Sequence, residues 1–221
     1  MLLHGCGGSA AETYVRTGWV EQLAATGRTV LPVTLPGHGV GALHDPAAYA
    51  DLAGAVLADL PPQFDGIGFS LGGKLLLEIA ARAPDRVGRL VIGGVGDNAF
   101  APEKSGEASA AALVTGVGLE SPPPLQSFYA SCIASGVDLL AIAAILRRSP
   151  NPVLDTERIS RVTAPVLLVN GEADPIANPD SALTAALPKV QPVTLPGVDH
   201  LSLPANADFL RHALAFLEDV S

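Results

Sequence analysis

A serine between glycines is the residue of this sequence best placed for nucleophilic chemistry. Ser70 lies at the centre of a Gly-x-Ser-x-Gly pattern that spans residues 68–72. Residues 64–69 are typical of a short buried strand, and residues 71–83 are typical of a helix. Because a serine on a sharp turn from strand to helix exposes its hydroxyl, the pattern predicts a nucleophile at this position.

The two glycines of the pattern and the start of the helix also favour this interpretation. We expect Gly68 and Gly72 to lie where a Cβ atom would collide with a neighbouring element. The unpaired N–H groups and the dipole at the helix N-terminus favour negative charge beside Ser70. With 23 glycines in 221 residues the pattern alone is a weak indication, so the prediction depends on partner residues elsewhere.

A histidine and a carboxylate follow later strands and complete the set that an activated serine needs. A base must take the proton of the serine hydroxyl, and a carboxylate must hold that base in the right tautomer. His200 ends the loop after the last predicted strand, and Asp174 follows the strand before it. Their order in the chain, with Ser70 first, is the order used by nucleophile-elbow enzymes. Asp97 is an alternative acid, which we interpret as a helix cap or a hinge residue.

The elements that must position these residues alternate along the chain. Continuous apolar runs predict about six strands, at residues 1–3, 29–34, 64–69, 89–93, 165–170 and 192–195. Helical patterns lie between and after them, at residues 19–25, 46–60, 71–83, 179–187 and 205–217. The predicted fold class is α/β, with a mostly parallel sheet and helices on both faces. The loops at the carboxyl ends of the strands then form the functional site.

The alternation stops after the fourth strand, where residues 97–161 predict a helical cap of short pieces. Residues 1–96 and 162–221 form the predicted core domain. The cap should cover Ser70, and an apolar roof favours an uncharged substrate. The candidate pocket residues are Phe128, Tyr129, Ile133, Leu139 and Ile142. The alternative is that all of them pack inside the cap.

Composition limits the class of protein and its partners. Hydrophobic residues make up 48% of the chain and charged residues 16%, which is typical of an apolar globular protein. The net charge of −9 without a basic patch argues against a nucleic-acid partner. Two cysteines indicate no disulfide framework, and no targeting segment or membrane-spanning run is visible. We therefore expect a cytoplasmic protein that acts on a small molecule without a metal or another cofactor.

Taken together, the motifs resemble the α/β-hydrolase superfamily over essentially the whole chain. The resemblance is closest to small bacterial members with a helical cap, which include carboxylesterases, methyl esterases that trim acyl carriers, and hydrolases of ring-cleavage products. It implies oxyanion donors at the backbone N–H groups of Cys6 and Leu71. Five segments carry it: His4-Gly5-x-Gly7-Gly8, Leu35-Pro36-Gly37-His38-Gly39, Gly68-Phe69-Ser70-Leu71-Gly72-Gly73, Gly171-x-x-Asp174 and Gly197-x-x-His200.

The resemblance also bears on the sheet edge and on the remaining histidines. Family members usually begin with two further strands. The alternatives are a natural minimal form without them and a true start upstream of Met1, and without them the strand at residues 29–34 is expected at the edge. Pro32 would limit pairing there, and a homodimer through the exposed edge is one way to cover it. We interpret His4 and His38 as loop-stabilising residues. Cys6 is expected to use only its main chain, not its thiol.

The leading functional hypothesis is a serine hydrolase that cleaves carboxylic esters of small to medium apolar substrates through an acyl-enzyme on Ser70. The same residues would support hydrolysis of a carbon–carbon bond in a diketone or ring-cleavage product. Phe69, directly before Ser70, resembles the pattern of cofactor-free perhydrolases, which are a further enzymatic alternative. A non-catalytic ligand-binding protein is the remaining alternative, and the three catalytic residue types argue against it.

Overall fold

Short apolar segments bounded by glycine and proline form the predicted parallel sheet. The computed structural model describes residues 1–100, 106–151 and 154–218. The strands are β1 Leu2–Leu3, β2 Pro32–Val33, β3 Phe64–Phe69, β4 Val87–Gly93, β5 Val166–Gly171 and β6 Val190–Leu195. All strand pairs are parallel, and the order across the sheet is β2-β1-β3-β4-β5-β6.

The central strands are apolar on both sides because helices cover both faces of the sheet. In β4, Leu90 and Ile92 belong to one buried cluster and Val91 to the other. Helices α2 (Leu52–Ala58), α3 (Leu71–Arg82) and α8 (Ser181–Ala186) supply side chains to the first cluster. Helices α1 (Trp19–Ala25) and α9 (Ala207–Glu218) supply the second, so the predicted α/β architecture is confirmed.

The strand register brings the ends of β1, β3 and β4 level with one another. Leu3 is opposite Gly68, and Phe69 is opposite Gly93. Because these strands are parallel, the loops that follow them all begin on the same side of the sheet, at the carboxyl ends of the strands. Ser70 follows Phe69 directly and is therefore surrounded by the loops after β1 and β4.

The prediction of one continuous helix over residues 46–60 was wrong. A 3-10 turn at Pro46–Tyr49 precedes α2, and Asp51 separates them with a non-helical φ of −124°. The Asp51 carboxylate accepts a hydrogen bond from the Gly54 N–H at 3.0 Å and so starts a new helix. The side chain of Asp45 caps the 3-10 turn, since it accepts a hydrogen bond from the Ala47 N–H at 2.9 Å.

The strand expected at the edge of the sheet is found there, although it is shorter than predicted. Within residues 29–34 only Pro32–Val33 pair as a strand, and β2 is an outermost strand of the sheet. Pro32 has no N–H to offer a further strand, which suits an edge position. Pairing of a second copy across this edge stays a prediction. Within the described ranges, no helix has the length and apolar character needed to cross a membrane.

Among the described residues between β4 and β5, four α-helices lie in the region predicted as a cap. They are α4 Gly106–Thr115, α5 Pro123–Ser135, α6 Leu139–Arg147 and α7 Thr156–Ile159. Cys132 of α5 and Ile142 of α6 belong to the same buried cluster as Leu3 and Leu71, so these helices pack directly on the core. Residues 101–105 and 152–153 of the predicted cap, and 219–221 of the predicted core, lie outside the described residues. The boundaries of the cap stay a prediction.

Candidate active site

Ser70 occupies a sharp turn between β3 and α3. Its φ of 52° is the one positive φ among the non-glycine residues that the structure describes. A side chain in this region of backbone space costs about 1–3 kcal/mol and persists only where the surroundings enforce it. The Ser70 N–H donates to the Gly93 carbonyl oxygen at 2.8 Å, which ties the turn to β4.

Close backbone approach explains the two glycines beside Ser70, as predicted. A Cβ on Gly68 would lie 2.7 Å from the Gly72 carbonyl, and a Cβ on Gly72 would overlap the carbonyl oxygen of Leu3. The Gly72 N–H donates to the His4 carbonyl oxygen at 3.1 Å. The first turn of α3 is therefore held against the loop that follows β1.

The structure brings Ser70, His200 and Asp174 together in one hydrogen-bonded line. His200 Nδ1 lies 2.7 Å from Asp174 Oδ2, and His200 Nε2 lies 3.1 Å from Ser70 Oγ. An ionised carboxylate only accepts hydrogen bonds, so the proton of the neutral imidazole is on Nδ1. Nε2 then has a lone pair that faces the serine hydroxyl, which is the geometry of a base beside a nucleophile.

Asp174 is held as an ionised carboxylate although its side chain is buried. Its other oxygen, Oδ1, accepts hydrogen bonds from the N–H groups of Ile176 at 2.8 Å and Ala177 at 3.0 Å. Burial by itself raises the pKa of Asp174, but the hydrogen bond and charge interaction with His200 and the two backbone donors outweigh it. The net effect is a pKa below the usual value for aspartate.

Asp97, the alternative acid, makes a different contact. Its Oδ1 accepts a hydrogen bond from the Leu183 N–H at 2.9 Å, in the first turn of α8. The interpretation of Asp97 as a helix cap is therefore confirmed.

The loop that carries Cys6 runs beside Ser70. A Cβ on Gly5 would lie 3.0 Å from the Phe69 ring and 3.5 Å from the Ser70 Cβ. Leu71 is the first residue of α3, directly after the serine. Cys6 and Leu71 thus flank the position of Ser70, and the role of their N–H groups as oxyanion donors stays a prediction.

Two residues that support the site were missed by the sequence reasoning. Gly94, directly after β4, has a φ of 68°, and a Cβ there would lie 3.0 Å from His200 Cε1. Asn170 is buried at the end of β5, where it accepts from the Val95 N–H at 3.1 Å and donates to the Val95 carbonyl oxygen at 2.9 Å. The signal for both was a residue type that is unusual at the end of a buried apolar strand.

The candidate pocket residues do not all have the same environment. The Phe128 ring lies 3.2 Å from the place of a Cβ on Gly7, so it covers the loop after β1. Tyr129 and Leu139 are partly buried against the main cluster, Ile142 is fully buried in it, and Ile133 is 56% exposed. Of the five, Phe128 is placed beside the loop after β1 by a described contact, and the pocket assignment stays a prediction.

Both cysteines are thiols, and they differ in environment. Cys132 is fully buried, and burial raises the pKa of its thiol to about 12, which makes it a poor nucleophile. Cys6 is half-buried. In residues 1–100, 106–151 and 154–218, no three histidine, cysteine or acidic side chains form a group that could hold a metal ion.

Comparisons with known proteins agree with this architecture. The model of the alpha/beta hydrolase family matches residues 1–213. The chain is 29% identical over 233 residues to a pimeloyl-[acyl-carrier protein] methyl ester esterase of Nitrosomonas europaea, covering 92% of this chain and 90% of the relative. A protein with the same description in Vibrio parahaemolyticus is 41% identical over 91 residues, which are 41% of this chain and 34% of that relative. That match spans about a third of the relative's length.

Solved structures share the fold at lower sequence identity. An enol-lactonase of Burkholderia xenovorans superposes with a TM-score of 0.75 and 21% identity, over 99% of this chain and 90% of that one. At this identity the likeness shows the common fold, and the chemistry has to be argued from the residues themselves.

Proposed function

Since the chain belongs to the α/β-hydrolase family, we propose that it hydrolyses carboxylic esters through an acyl-enzyme on Ser70. The observation that carries this proposal is the contact of His200 Nε2 with Ser70 Oγ at 3.1 Å. Relatives described as methyl ester esterases support the ester as the bond that is cleaved.

The first half-reaction transfers the acyl group to the enzyme. His200 Nε2 takes the hydroxyl proton of Ser70 as Oγ attacks the ester carbonyl carbon, and Asp174 stabilises the imidazolium that forms. His200 then gives that proton to the departing alkoxide, so the alcohol leaves neutral and the acyl group stays on Oγ.

The negative oxygen of the tetrahedral intermediate lies against the loop after β1 and the start of α3. The backbone N–H groups of Cys6 and Leu71 are the donors that we assign to it. Loss of one such donor in an enzyme typically lowers kcat by about 10²–10³. Because α3 begins at Leu71, the positive end of its dipole adds to the stabilisation of this charge.

The second half-reaction releases the acid. A water molecule donates its proton to His200 as it attacks the acyl carbonyl carbon. The intermediate collapses with cleavage of the bond to Ser70 Oγ, which recovers its proton from His200. The ester and this one water molecule balance both half-reactions together with the residues of the chain.

The surroundings of the site favour an ester with apolar parts. Phe128 covers the loop beside Ser70. Ile176 and Leu201, which follow Asp174 and His200 closely in the chain, are 39% and 49% exposed. These features support an uncharged apolar substrate.

Turnover of nitrophenyl acetate and butyrate by the wild type and by Ser70→Ala tests the proposal. We expect hydrolysis by the wild type, loss of at least about 10³ in kcat in the variant, and labelling of Ser70 by a fluorophosphonate. Ser160→Ala, at an exposed serine of the connection after α7, is the matched control and should react like the wild type.

Three results would contradict the proposal in different ways. Equal rates for Ser70→Ala and the wild type would remove Ser70 from the mechanism. A folded wild type that binds esters without turnover would indicate a binding protein. Turnover of diketones or formation of peracids, with no ester hydrolysis, would assign another reaction to the same serine.

A further inference from the structure

Two buried histidines on neighbouring loops face each other beside the candidate active site. His4 follows β1 and His38 lies in the loop after β2. Their ring centroids are 4.8 Å apart and the rings are inclined by 72°. Both side chains are almost completely removed from solvent.

Each histidine accepts a hydrogen bond from the backbone of the other histidine's loop. His4 Nε2 accepts from the Leu35 N–H at 3.2 Å, and His38 Nε2 accepts from the Gly7 N–H at 2.9 Å. Both bonds join residues that are 31 positions apart. The two loops are therefore linked reciprocally by side chains of the same type.

The partners determine the protonation of both rings. A backbone N–H only donates, so Nε2 of each ring must be unprotonated. Nδ1 of His4 lies 2.9 Å from the Gly5 carbonyl oxygen, and Nδ1 of His38 lies 3.2 Å from that of Pro36. A carbonyl oxygen only accepts, so each Nδ1 carries the proton, and both imidazoles are neutral in the same tautomer.

The loop that this pair holds is the one that carries Cys6. Its first part is fixed by the His4 carbonyl oxygen, which accepts from Gly72, and its later part by the bond from Gly7 to His38. The Gly8 N–H donates to the Gly5 carbonyl oxygen at 3.2 Å and closes the turn between them. Cys6 lies inside this turn, with anchored residues on both sides.

We propose that His4 and His38 are positioning residues that hold the Cys6 N–H in place for the oxyanion, each as a neutral acceptor for the other's loop. This inference rests on the ester-hydrolase function proposed above. Neither ring needs to touch substrate. Their loss would act on the transition state, where the negative oxygen develops, and would leave ground-state binding of the ester largely unchanged.

Paired substitutions test the acceptor role. A glutamine carbonyl oxygen reaches about as far as Nε2 and accepts a hydrogen bond, whereas leucine fills similar space without accepting one. For His38→Leu and for His4→Leu we expect kcat to fall about 10-fold to 100-fold with KM nearly unchanged, which is less than the loss of a whole oxyanion donor. His38→Gln and His4→Gln should recover most of that loss. His212→Leu on α9 is the matched control.

A second measurement does not depend on activity. ¹⁵N NMR of the imidazole rings in the wild type should show Nδ1 protonated and Nε2 unprotonated for both histidines. The amide hydrogen of Gly7 should exchange slowly in the wild type and in His38→Gln, and faster in His38→Leu.

The outcomes separate this inference from the proposed function. An Nε2–H tautomer at either histidine, equal kcat in the leucine and glutamine variants, or unchanged Gly7 exchange in His38→Leu would overturn it. If the leucine variants do not fold, the tautomers and the kcat of the glutamine variants still decide. A wild type that hydrolyses no ester would refute the proposed function, whereas the NMR result alone would decide whether the two loops are linked in this way.

Discussion

The ring of Phe69 packs against the imidazole of His200, with centroids 4.9 Å apart and an angle of 39° between the planes. Phe69 is buried at the end of β3, one residue before Ser70. Gly5 and Gly94 also lie against its ring, so closely that a Cβ atom on either residue would be within about 3 Å of it. Strand β3 thus carries, next to Ser70, an aromatic surface that limits where His200 can lie.

Removal of this surface should affect catalysis more than binding. Phe69→Leu keeps an apolar side chain but leaves space beside His200, so we expect kcat to fall about tenfold because misplacement of a catalytic group by a fraction of an ångström is costly. Steady-state kinetics with a nitrophenyl ester measures the change. Phe216→Leu, on α9, is a control for loss of an aromatic ring elsewhere. A Phe69→Leu enzyme with wild-type kcat would show that the contact does not position His200.

We expect activity to require Gly94 for two reasons. It leaves space for the His200 ring, and its positive φ favours glycine. In Gly94→Ala the new Cβ would lie 2.8 Å from the Phe69 ring and 3.0 Å from His200 Cε1, so the imidazole must shift and kcat should fall at least about tenfold. Gly27→Ala is the matched control, since Gly27 also has a positive φ, 81°, and has nothing within 4 Å of such a Cβ. Both variants should lose about 1 kcal/mol of stability from backbone strain.

Equal kcat values in Gly94→Ala and Gly27→Ala would contradict this explanation. Thermal unfolding of both variants, followed by circular dichroism, separates strain from the local collision with His200.

The carboxylate of Asp174 should determine the tautomer of His200. Asp174→Asn preserves the shape of the side chain, but its amide can donate to Nδ1 and place the imidazole proton on Nε2, where it blocks the base. We expect kcat to fall about 10³-fold to 10⁴-fold, measured with the same ester.

Asp97→Asn is the control for a half-buried acid near the same loops. It should change mainly the capping of α8, with a loss of up to about 1 kcal/mol in the free energy of unfolding and little change in kcat. If Asp97→Asn lost activity and Asp174→Asn retained it, the assignment of the acid would be reversed.

The histidine pair also predicts how stability depends on pH. Burial lowers the pKa of His4 to about 4 and that of His38 to about 3, where the neighbouring His4 contributes as well. In the unfolded chain the two histidines bind a proton near pH 6.5, which is a higher pH than in the folded protein. The contribution of the neutral histidine pair to the free energy of unfolding is therefore fully present above pH 6.5. It is lost as the pH falls from about 6.5 towards 4 and 3, with a slope approaching about 1.4 kcal/mol per pH unit for each histidine.

Urea unfolding between pH 7 and pH 4 measures this slope. The double variant His4→Gln/His38→Gln has no titrating group at either position, so its free energy of unfolding should fall less steeply over the same range. Parallel curves for the wild type and the double variant would show that the two histidines do not titrate as the structure indicates.

Local patterns were sufficient to predict most of the elements and to single out three residues that the structure brings together. The apolar run at residues 64–69 and the glycines on both sides of Ser70 depend on neighbours a few positions away, and the structure reproduces the predicted strand, turn and helix there. The loops after β5 and β6 supplied Asp174 and His200 in the expected order. The prediction of one helix across residues 46–60 was wrong because the carboxylate of Asp51 starts a second helix within an apolar pattern that looks continuous.

The residue pattern predicted the fold class, the edge position of the strand at Pro32, and Ser70, Asp174 and His200 as candidate site residues. It did not predict the 3.1 Å contact between His200 and Ser70, the space beside Gly94, or the exchange of hydrogen bonds between the loops of His4 and His38. These features were missed because the residues involved are far apart along the chain. Periodicity and turn chemistry act over a few residues, whereas these contacts join segments that are 31 to 130 residues apart and meet only when the sheet has formed.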